Sequence, residues 1–338
     1  PFNFPAMVPM WMYPIAMTVG NAFILKPSEK TPLSSDLMAK LLAKSGYPPG
    51  IFSIIHGGRS AAEALVDHPD IAAMAFVGSS PAAHAVYARA SSHGKRVLAL
   101  GGAKNHIVLV PDADPSIAID GIAASFTGCA GQRCMAGSIL VAVGEVDHVI
   151  DGIVGRASEM ELGNHMGAII TRESQQRLAA AVNTAKEEGA TLRLDGRTLA
   201  APANCENGYW LGPSIIDNAK TGMECTREEL FGPVLTIIRV NSLEEALQLE
   251  KQSPFGNATS VFTTRGSTAR YVADNASTGM VGVNIGVPVP REPFSFGGTK
   301  LSRFGQGDIT GQGGVDLWTS SKKITTKWAL ADDQNWMS

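Results

Sequence analysis

The first third of the chain alternates short apolar runs with stretches of helical period, which predicts parallel strands joined by crossover helices. A strand over 22–25 leads into Lys26-Pro27-Ser28-Glu29-Lys30. Thr31 stands where a helix cap belongs, with Pro32 in the first turn. Leu33, Leu37, Met38, Leu41 and Leu42 then supply a buried stripe before Gly46 ends the helix. A strand at 52–55, the turn His56-Gly57-Gly58 and a short helix over 61–66 follow. Residues 72–77 read as a buried strand, Gly78-Ser79-Ser80 as a tight turn, and Pro81 as the first residue of a helix to Ala90. Strands near 96–99 and 106–110 bracket Gly101-Gly102.

The second half repeats the alternation around another centre. Ile117, Ile122 and Phe126 form an apolar helical stripe that leads to a turn at Cys134, with a strand over 138–143 behind it. A long helix is expected over 172–188, strands at 234–240, 258–262 and 280–284, and a helix over 242–252. The Pro-rich run 286–293 reads as a loop that continues through Phe294 and Phe296, whose rings either wall a pocket or, more commonly, pack beneath such a loop. Residues 318–328 alternate as a strand, which must pair with its own sheet or with a neighbouring subunit's; the second case implies an oligomer.

Composition narrows the class. A chain of 338 residues, 44% hydrophobic and 17% charged, is a globular chain of about two domains. Its net charge of −3 points away from nucleic acid or an anionic membrane and toward small-molecule ligands. The 4 cysteines make no disulfide framework and show no zinc-type pairs, so no metal is expected and a reducing compartment fits. No apolar run reaches the ~18 residues of a membrane span, and the chain reads as cytoplasmic, or as mitochondrial matrix in a eukaryote. The chain opens Pro1-Phe2-Asn3-Phe4-Pro5, without an initiator Met, and its first strand has no partner before it, so an N-terminal piece beyond Pro1 is expected.

Candidate chemistry centres on Phe126-Thr127-Gly128-Cys129-Ala130-Gly131-Gln132-Arg133-Cys134. A cysteine among small residues and beside an arginine suits a reactive thiolate, because a fixed positive charge lowers the thiol pKa from about 8.5. The plainer reading is a buried cysteine in a glycine-rich turn. In parallel sheets ligands sit beyond the carboxyl ends of the strands, and phosphates favour glycine turns that open onto helices. The turns at Gly57-Gly58 and Gly78-Ser79-Ser80 both qualify, although neither is GxGxxG. Glu29, after the first strand, can accept hydrogen bonds from a ribose; otherwise Lys26 and Glu29 are a solvated helix entry.

Pro1-Phe2-Asn3-Phe4-Pro5, Lys26-Pro27-Ser28-Glu29, Phe76-Val77-Gly78-Ser79, Gly131-Gln132-Arg133-Cys134 and Glu228-Glu229-Leu230-Phe231-Gly232-Pro233-Val234 resemble, in order, the motifs of the aldehyde dehydrogenase superfamily. Gly102-Ala103-Lys104-Asn105-His106, Gly131 to Met135 and Val287-Pro288-Val289-Pro290 resemble its methylmalonate-semialdehyde branch. The resemblance implies an α/β fold with a partial Rossmann-type NAD-binding domain over 1–101, a catalytic domain over 102–316 and an oligomerisation segment over 317–338. It implies Cys134 as nucleophile, with the Asn3 side chain and the Cys134 main-chain N–H holding the oxyanion. Phe2, Lys26, Glu29, Lys30, Ser79, Gly101 and Glu229 fall at cofactor-contact positions. Arg133 is the nearest cation for a substrate carboxylate, unless it tunes Cys134 or holds the loop.

By the same resemblance the cofactor is NAD, coenzyme A is the acyl acceptor, the substrate is a small semialdehyde, and the assembly is a homo-dimer or homo-tetramer. One departure matters. The usual Glu-Leu-Gly-Gly run stands here as Ala99-Leu100-Gly101-Gly102, so the glutamate that activates water is an alanine. Ala83 also stands where the last glycine of the phosphate turn belongs. Three alternatives stay open: a hydrolytic NAD-dependent aldehyde dehydrogenase, a thiol acyl transferase or hydrolase without hydride transfer, and a noncatalytic oligomer component.

Overall fold

The computed structural model describes residues 1–291 and 293–328. Its first unit holds α1 (Met7–Thr18), β1 (Phe23–Leu25), α2 (Leu33–Lys44), β2 (Phe52–Ile54), α3 (Arg59–Asp67), β3 (Ala73–Val77), α4 (Ser80–Ser92) and β4 (Arg96–Leu100). The second holds β5 (Asn105–Leu109), α5 (Pro115–Thr127), β6 (Gly137–Val143), α6 (Asp147–Ser158), α7 (Arg172–Glu187), β7 (Thr191–Leu194), β8 (Ser214–Asp217), α8 (Glu224–Arg227) and β9 (Val234–Val240). It continues through α9 (Leu243–Gln252), β10 (Phe255–Gly256), β11 (Ala258–Phe262), α10 (Gly266–Asn275) and β12 (Met280–Val283). The chain then forms β13 (Thr299–Lys300), β14 (Arg303–Gly305) and α11 (Gly311–Trp318).

The second unit is built on a seven-stranded sheet in the order β12-β11-β5-β6-β9-β8-β7, in which only β7 runs antiparallel. Helices cover both faces. One core layer carries Val108, Ile139, Leu178 and Val182, and the other Ile107, Ile122, Phe126 and Ile150. Strands buried on both sides need apolar residues throughout, which is why β5, β6 and β9 read as near-continuous hydrophobic runs. In the first unit β1 pairs with β2 and β3 with β4, both parallel, while β14 adds antiparallel to β4. Residues 303–318 therefore return to the first unit, where α11 packs on α1. Residues of β1 and β3 line an apolar slot of about 290 Å³ between the two small sheets.

Several expectations need correction. Thr31 does not cap α2: the cap position is Pro32, without a side-chain bond, and the Thr31 hydroxyl donates to the Phe2 carbonyl. The α2 stripe splits, because Met38 and Leu42 face the core while Leu33, Leu37 and Leu41 are 78%, 58% and 56% exposed. Ile117 is likewise exposed, at the first turn of α5, whereas Ile122 and Phe126 are buried. Helix α4 begins one residue before Pro81. Residues 319–328 pair with no strand among the described residues, and Trp318 ends α11. The remainder of the expected oligomerisation segment, 329–338, lies outside the described residues.

Helix α1 had no counterpart among the expected elements. Its sequence is apolar nearly throughout and holds Pro9 and Pro14, which read as breakers. Pro9 sits in the first turn, where a missing N–H has no cost, and burial of Val8, Met12, Tyr13, Ala16 and Met17 carries the helix past Pro14. Among the described residues no helix is long and apolar enough to cross a membrane.

Strand β5 holds a titration site. His106 is buried, and desolvation, with the Lys104 charge second, lowers its pKa to about 4. The unfolded chain then binds more protons than the folded one below about pH 6.5, so stability is complete above that pH and is lost as pH falls through 4. At about 1.4 kcal/mol per pKa unit the loss is on the order of 3 kcal/mol. Urea midpoints measured at pH 7 and pH 4.5 should therefore fall less in His106→Gln than in the parent protein. Equal falls in both would remove His106 from the acid response.

Candidate active site

Helix α5 is started by the Asp114 side chain, which accepts from the Ile117 N–H, and by Pro115 at its first position. It ends at Thr127, and Cys129, Ala130 and Gly131 follow with φ of 54°, 52° and 66°. That run of left-handed residues is strained for the two that carry a side chain. Gly131 has no alternative, since a Cβ there would lie 2.0 Å from the Gly232 carbonyl oxygen.

Residues 132–136 form neither helix nor strand, and side chains hold them instead. Gln132 Oε1 accepts from the Ile170 N–H at 2.9 Å, and Gln132 Nε2 donates to the Ala168 carbonyl at 3.1 Å. The Arg133 guanidinium donates to the carbonyls of Ala124 and Ser125, closing the last turn of α5. Asn105 Nδ2 donates to the carbonyls of Cys134 and Ala136 at 2.7 and 2.9 Å, and Asn257 Nδ2 donates to the same Cys134 carbonyl at 2.8 Å. Ser125 Oγ accepts from the Gly137 N–H at 2.8 Å and donates to the Gly286 carbonyl.

Cys134 opens onto a cavity of about 520 Å³ between the two units. Asn3, Asn257, Phe296, Gly101, Gly102, Ser79, Glu229, Phe231 and Arg177 line it together with the cysteine. Phe2, Glu29 and Lys30 line the rest, with the Lys30 ammonium 5.9 Å from the Phe2 ring centroid. The structure thus brings together Cys134, Asn3, Phe2, Glu29, Lys30, Ser79, Gly101 and Glu229.

Two expected site residues lie elsewhere. Lys26 lines the neighbouring slot; its ammonium donates to the Pro27 and Gly57 carbonyls at 2.7 Å each and lies 3.8 Å from Glu29. Arg133 is absent from the cavity lining, its guanidinium being engaged on α5. Phe296 satisfies both readings offered for it, since it is buried against Trp11 at 5.0 Å and also lines the cavity, while Phe294 is 73% exposed.

The aldehyde dehydrogenase family model matches residues 1–324. The chain belongs to this family. It is 42% identical over 335 residues to malonate-semialdehyde dehydrogenase 2 of Geobacillus kaustophilus, covering 97% of this chain and 69% of that one. It is 43% identical over 338 residues to the human mitochondrial methylmalonate-semialdehyde/malonate-semialdehyde dehydrogenase [acylating], covering 98% of this chain and 63% of the relative. A Sinorhizobium meliloti 1021 protein solved in complex with NAD superposes with a TM-score of 0.95 at 40% identity, over 98% of this chain and 69% of that one.

Within this aldehyde dehydrogenase fold the electrostatics reverse one expectation. The Cys134 thiol is pushed up to about 11, first by burial and then by the negative charge of Glu229. Arg133 acts in the opposite direction and is outweighed. Glu229 is itself raised by burial, although its Oε1 accepts from the Ala103 N–H at 2.7 Å. Gly102 makes room for that carboxylate, because a Cβ there would lie 2.1 Å from Glu229 Oε2. Lys104 is buried, with its pKa lowered to about 8 by desolvation.

The alanine at the family's water-activating position is fully buried. Ala99 sits inside β4 opposite Phe304 and is absent from the cavity lining. Glu228 does not substitute for it: its carboxylate is 57% exposed, 3.0 Å from Arg227, and outside the cavity. Among the described residues the carboxylates lining the cavity are Glu29 and Glu229.

Sequence reasoning named Asn105 and Gln132 within motifs but gave them no role, and it missed Asn257 and Arg177. An asparagine opening a buried strand, as Asn105 does, is the one visible signal; the others become meaningful only once loops from distant parts of the chain meet.

Desolvation comes first among the causes that raise the Cys134 pKa and the Glu229 charge second, so removing that charge lowers the pKa in part. Glu229→Gln should raise the rate of Cys134 alkylation by iodoacetamide at pH 8 several-fold, since each unit of lowered pKa is about tenfold in thiolate. An unchanged rate in the variant contradicts this coupling.

Proposed function

We propose that this chain oxidises malonate or methylmalonate semialdehyde with NAD and transfers the resulting acyl group to coenzyme A. The observation that carries the reading is one cavity lined by a half-buried cysteine, the Asn3 side chain, Ser79 at the open start of α4 and the Glu229 carboxylate. The names of the relatives supply the substrate class.

The cavity suits a dinucleotide. Ser79 precedes α4 without spending its hydroxyl on a cap, so the N–H groups of the first turn and that hydroxyl are available to a pyrophosphate. Gly101 and Gly102 let the cavity wall pack closely, since a Cβ would lie 2.4 Å from the Leu301 carbonyl oxygen at Gly101 and 2.1 Å from Glu229 Oε2 at Gly102. Glu29 and Glu229 can each accept from ribose hydroxyls, and hydroxyls donated to Glu229 offset the charge that raises the Cys134 pKa. Bound NAD supplies the hydride acceptor.

Cys134 sulfur, once deprotonated, attacks the aldehyde carbon, and the Asn3 amide and the Cys134 N–H hold the oxygen on which negative charge builds. Loss of hydride from that carbon re-forms the carbonyl as a thioester on Cys134. A β-carboxylate then leaves as carbon dioxide, because the thioester carbonyl accepts the electron pair as an enolate, which takes up a proton. Water needs a positioned general base, a contribution of about 10²–10⁴-fold. Ala99 provides none, whereas a thiol attacks with less help. The sulfur of coenzyme A takes the acyl group and Cys134 sulfur departs, giving acetyl-CoA or propionyl-CoA.

We also infer a homo-oligomer of cytosol or matrix, supported by the exposed Ile324 and Trp328 and by the exposed face of α2.

With NAD and malonate semialdehyde the protein should give a burst of NADH and then slow turnover, which coenzyme A accelerates while acetyl-CoA accumulates. Rapid steady formation of free acid, unaffected by coenzyme A, contradicts the acylating reading. NADP should be the poorer cofactor, because Glu29 repels a 2′-phosphate, and Glu29→Gln should narrow the preference. Comparable kcat/KM with NAD and NADP in the parent protein removes Glu29 from the ribose site.

A further inference from the structure

We propose that Asn257 is a positioning residue for the Cys134 nucleophile, acting through the Cys134 carbonyl; this deepens the reading above and rests on it. Asn105 and Asn257 come from neighbouring strands, one opening β5 and the other preceding β11, and their amides converge on a single oxygen. The two do different work. Asn105 also holds the Ala136 carbonyl and accepts from the Ala258 N–H at 3.0 Å, so it ties the loop to the sheet. Asn257 Nδ2 donates to the Cys134 carbonyl and contacts Met135 Sδ at 3.1 Å, and both acceptors belong to the reacting residue or its neighbour.

Asn257 is also the clamp residue that lines the cavity itself. The amide cannot be turned over without setting its own oxygen against the Cys134 oxygen, so the contact fixes its orientation. A carbonyl held by two donors cannot swing, which fixes ψ of Cys134 and hence the direction of its sulfur. It also keeps the negative end of that carbonyl dipole from turning toward the oxygen that gains charge during attack. Without helix or strand over 132–136, no backbone ladder can do this.

Two variants and two readouts test the assignment. Asn257→Leu removes the donor, and Asn257→Asp places at the same site a carboxyl that can donate only while protonated. Burial raises that carboxyl's pKa above the usual range, so protonation falls in an accessible window. The readouts are the rate of Cys134 alkylation by iodoacetamide, located by peptide mapping, and the NADH burst with malonate semialdehyde. Circular dichroism and NAD binding by calorimetry check that the fold and cofactor site persist.

The expected result is a burst about tenfold slower in Asn257→Leu at every pH, the loss of about one hydrogen bond. In Asn257→Asp the loss should match this at pH 8 and be regained, relative to the parent protein, as pH falls toward 5. Alkylation should follow the same pattern. Equal losses in both variants at all pH values mean that Asn257 only fills space, and parent-like rates in both mean that Asn105 alone holds the loop; either result overturns the proposal. Absence of any NADH burst in the parent protein counts against the oxidation reading instead, and alkylation, which needs neither substrate nor cofactor, still decides the role of Asn257.

Discussion

Everything in this site depends on holding a loop that belongs to no helix or strand and whose own backbone bonds are the turn contacts Gln132 N–H to Cys129 and Ala136 N–H to Arg133. Between the end of α5 and the start of β6 the chain passes through left-handed residues and then an irregular stretch that carries Cys134. Buried polar groups without partners are costly, so the carbonyls and N–H groups of this stretch must be met by side chains. Asn105 at the start of β5 and Asn257 in the bend before β11 meet the Cys134 and Ala136 carbonyls, Ser125 of α5 meets the Gly137 N–H, and the Gln132 and Arg133 side chains tie the loop outward to the Ala168 and Ser125 carbonyls. The nucleophile is therefore placed by a network to which separate elements contribute donors and acceptors. Such networks are rigid when fully satisfied.

The same burial sets the chemistry. Desolvation first and the Glu229 charge second keep the Cys134 thiol protonated in the ligand-free protein, and the arginine beside it in sequence is too occupied with α5 to reverse this. What happens to Glu229 then modulates activation, beside the larger effect of desolvation. That arrangement links the cofactor wall to the nucleophile through one carboxylate, and Gly102 is required because a larger residue would displace it.

Much of the fold was legible because strands buried on both faces and helices covering them leave strong patterns: β9 and β11 agree residue for residue with the apolar runs at 234–240 and 258–262. The motif residues lining the cavity were legible as well, through a family resemblance that the family match bears out. What stayed hidden has physical reasons. Helix α1 is apolar on all sides and shows no period. The outward leucines of α2 look like core residues, since a stripe in sequence does not say which half of it finds a partner. Arg133 is adjacent to Cys134 in sequence, yet side-chain direction sends it to α5. Asn257 lies far from Cys134 in the chain, and only the meeting of β5, β11 and the loop gives it meaning.

The absence of a base at Ala99 gives the account its central claim, that an acyl group rests on Cys134 until a thiol removes it. Intact-protein mass spectrometry with peptide mapping, after a single turnover quenched in acid, measures that state directly. The account predicts an acyl adduct on the peptide containing Cys134 that persists in buffer and disappears on addition of coenzyme A. An adduct located on Cys129, Cys205 or Cys225, or one that vanishes equally fast with and without coenzyme A, contradicts it.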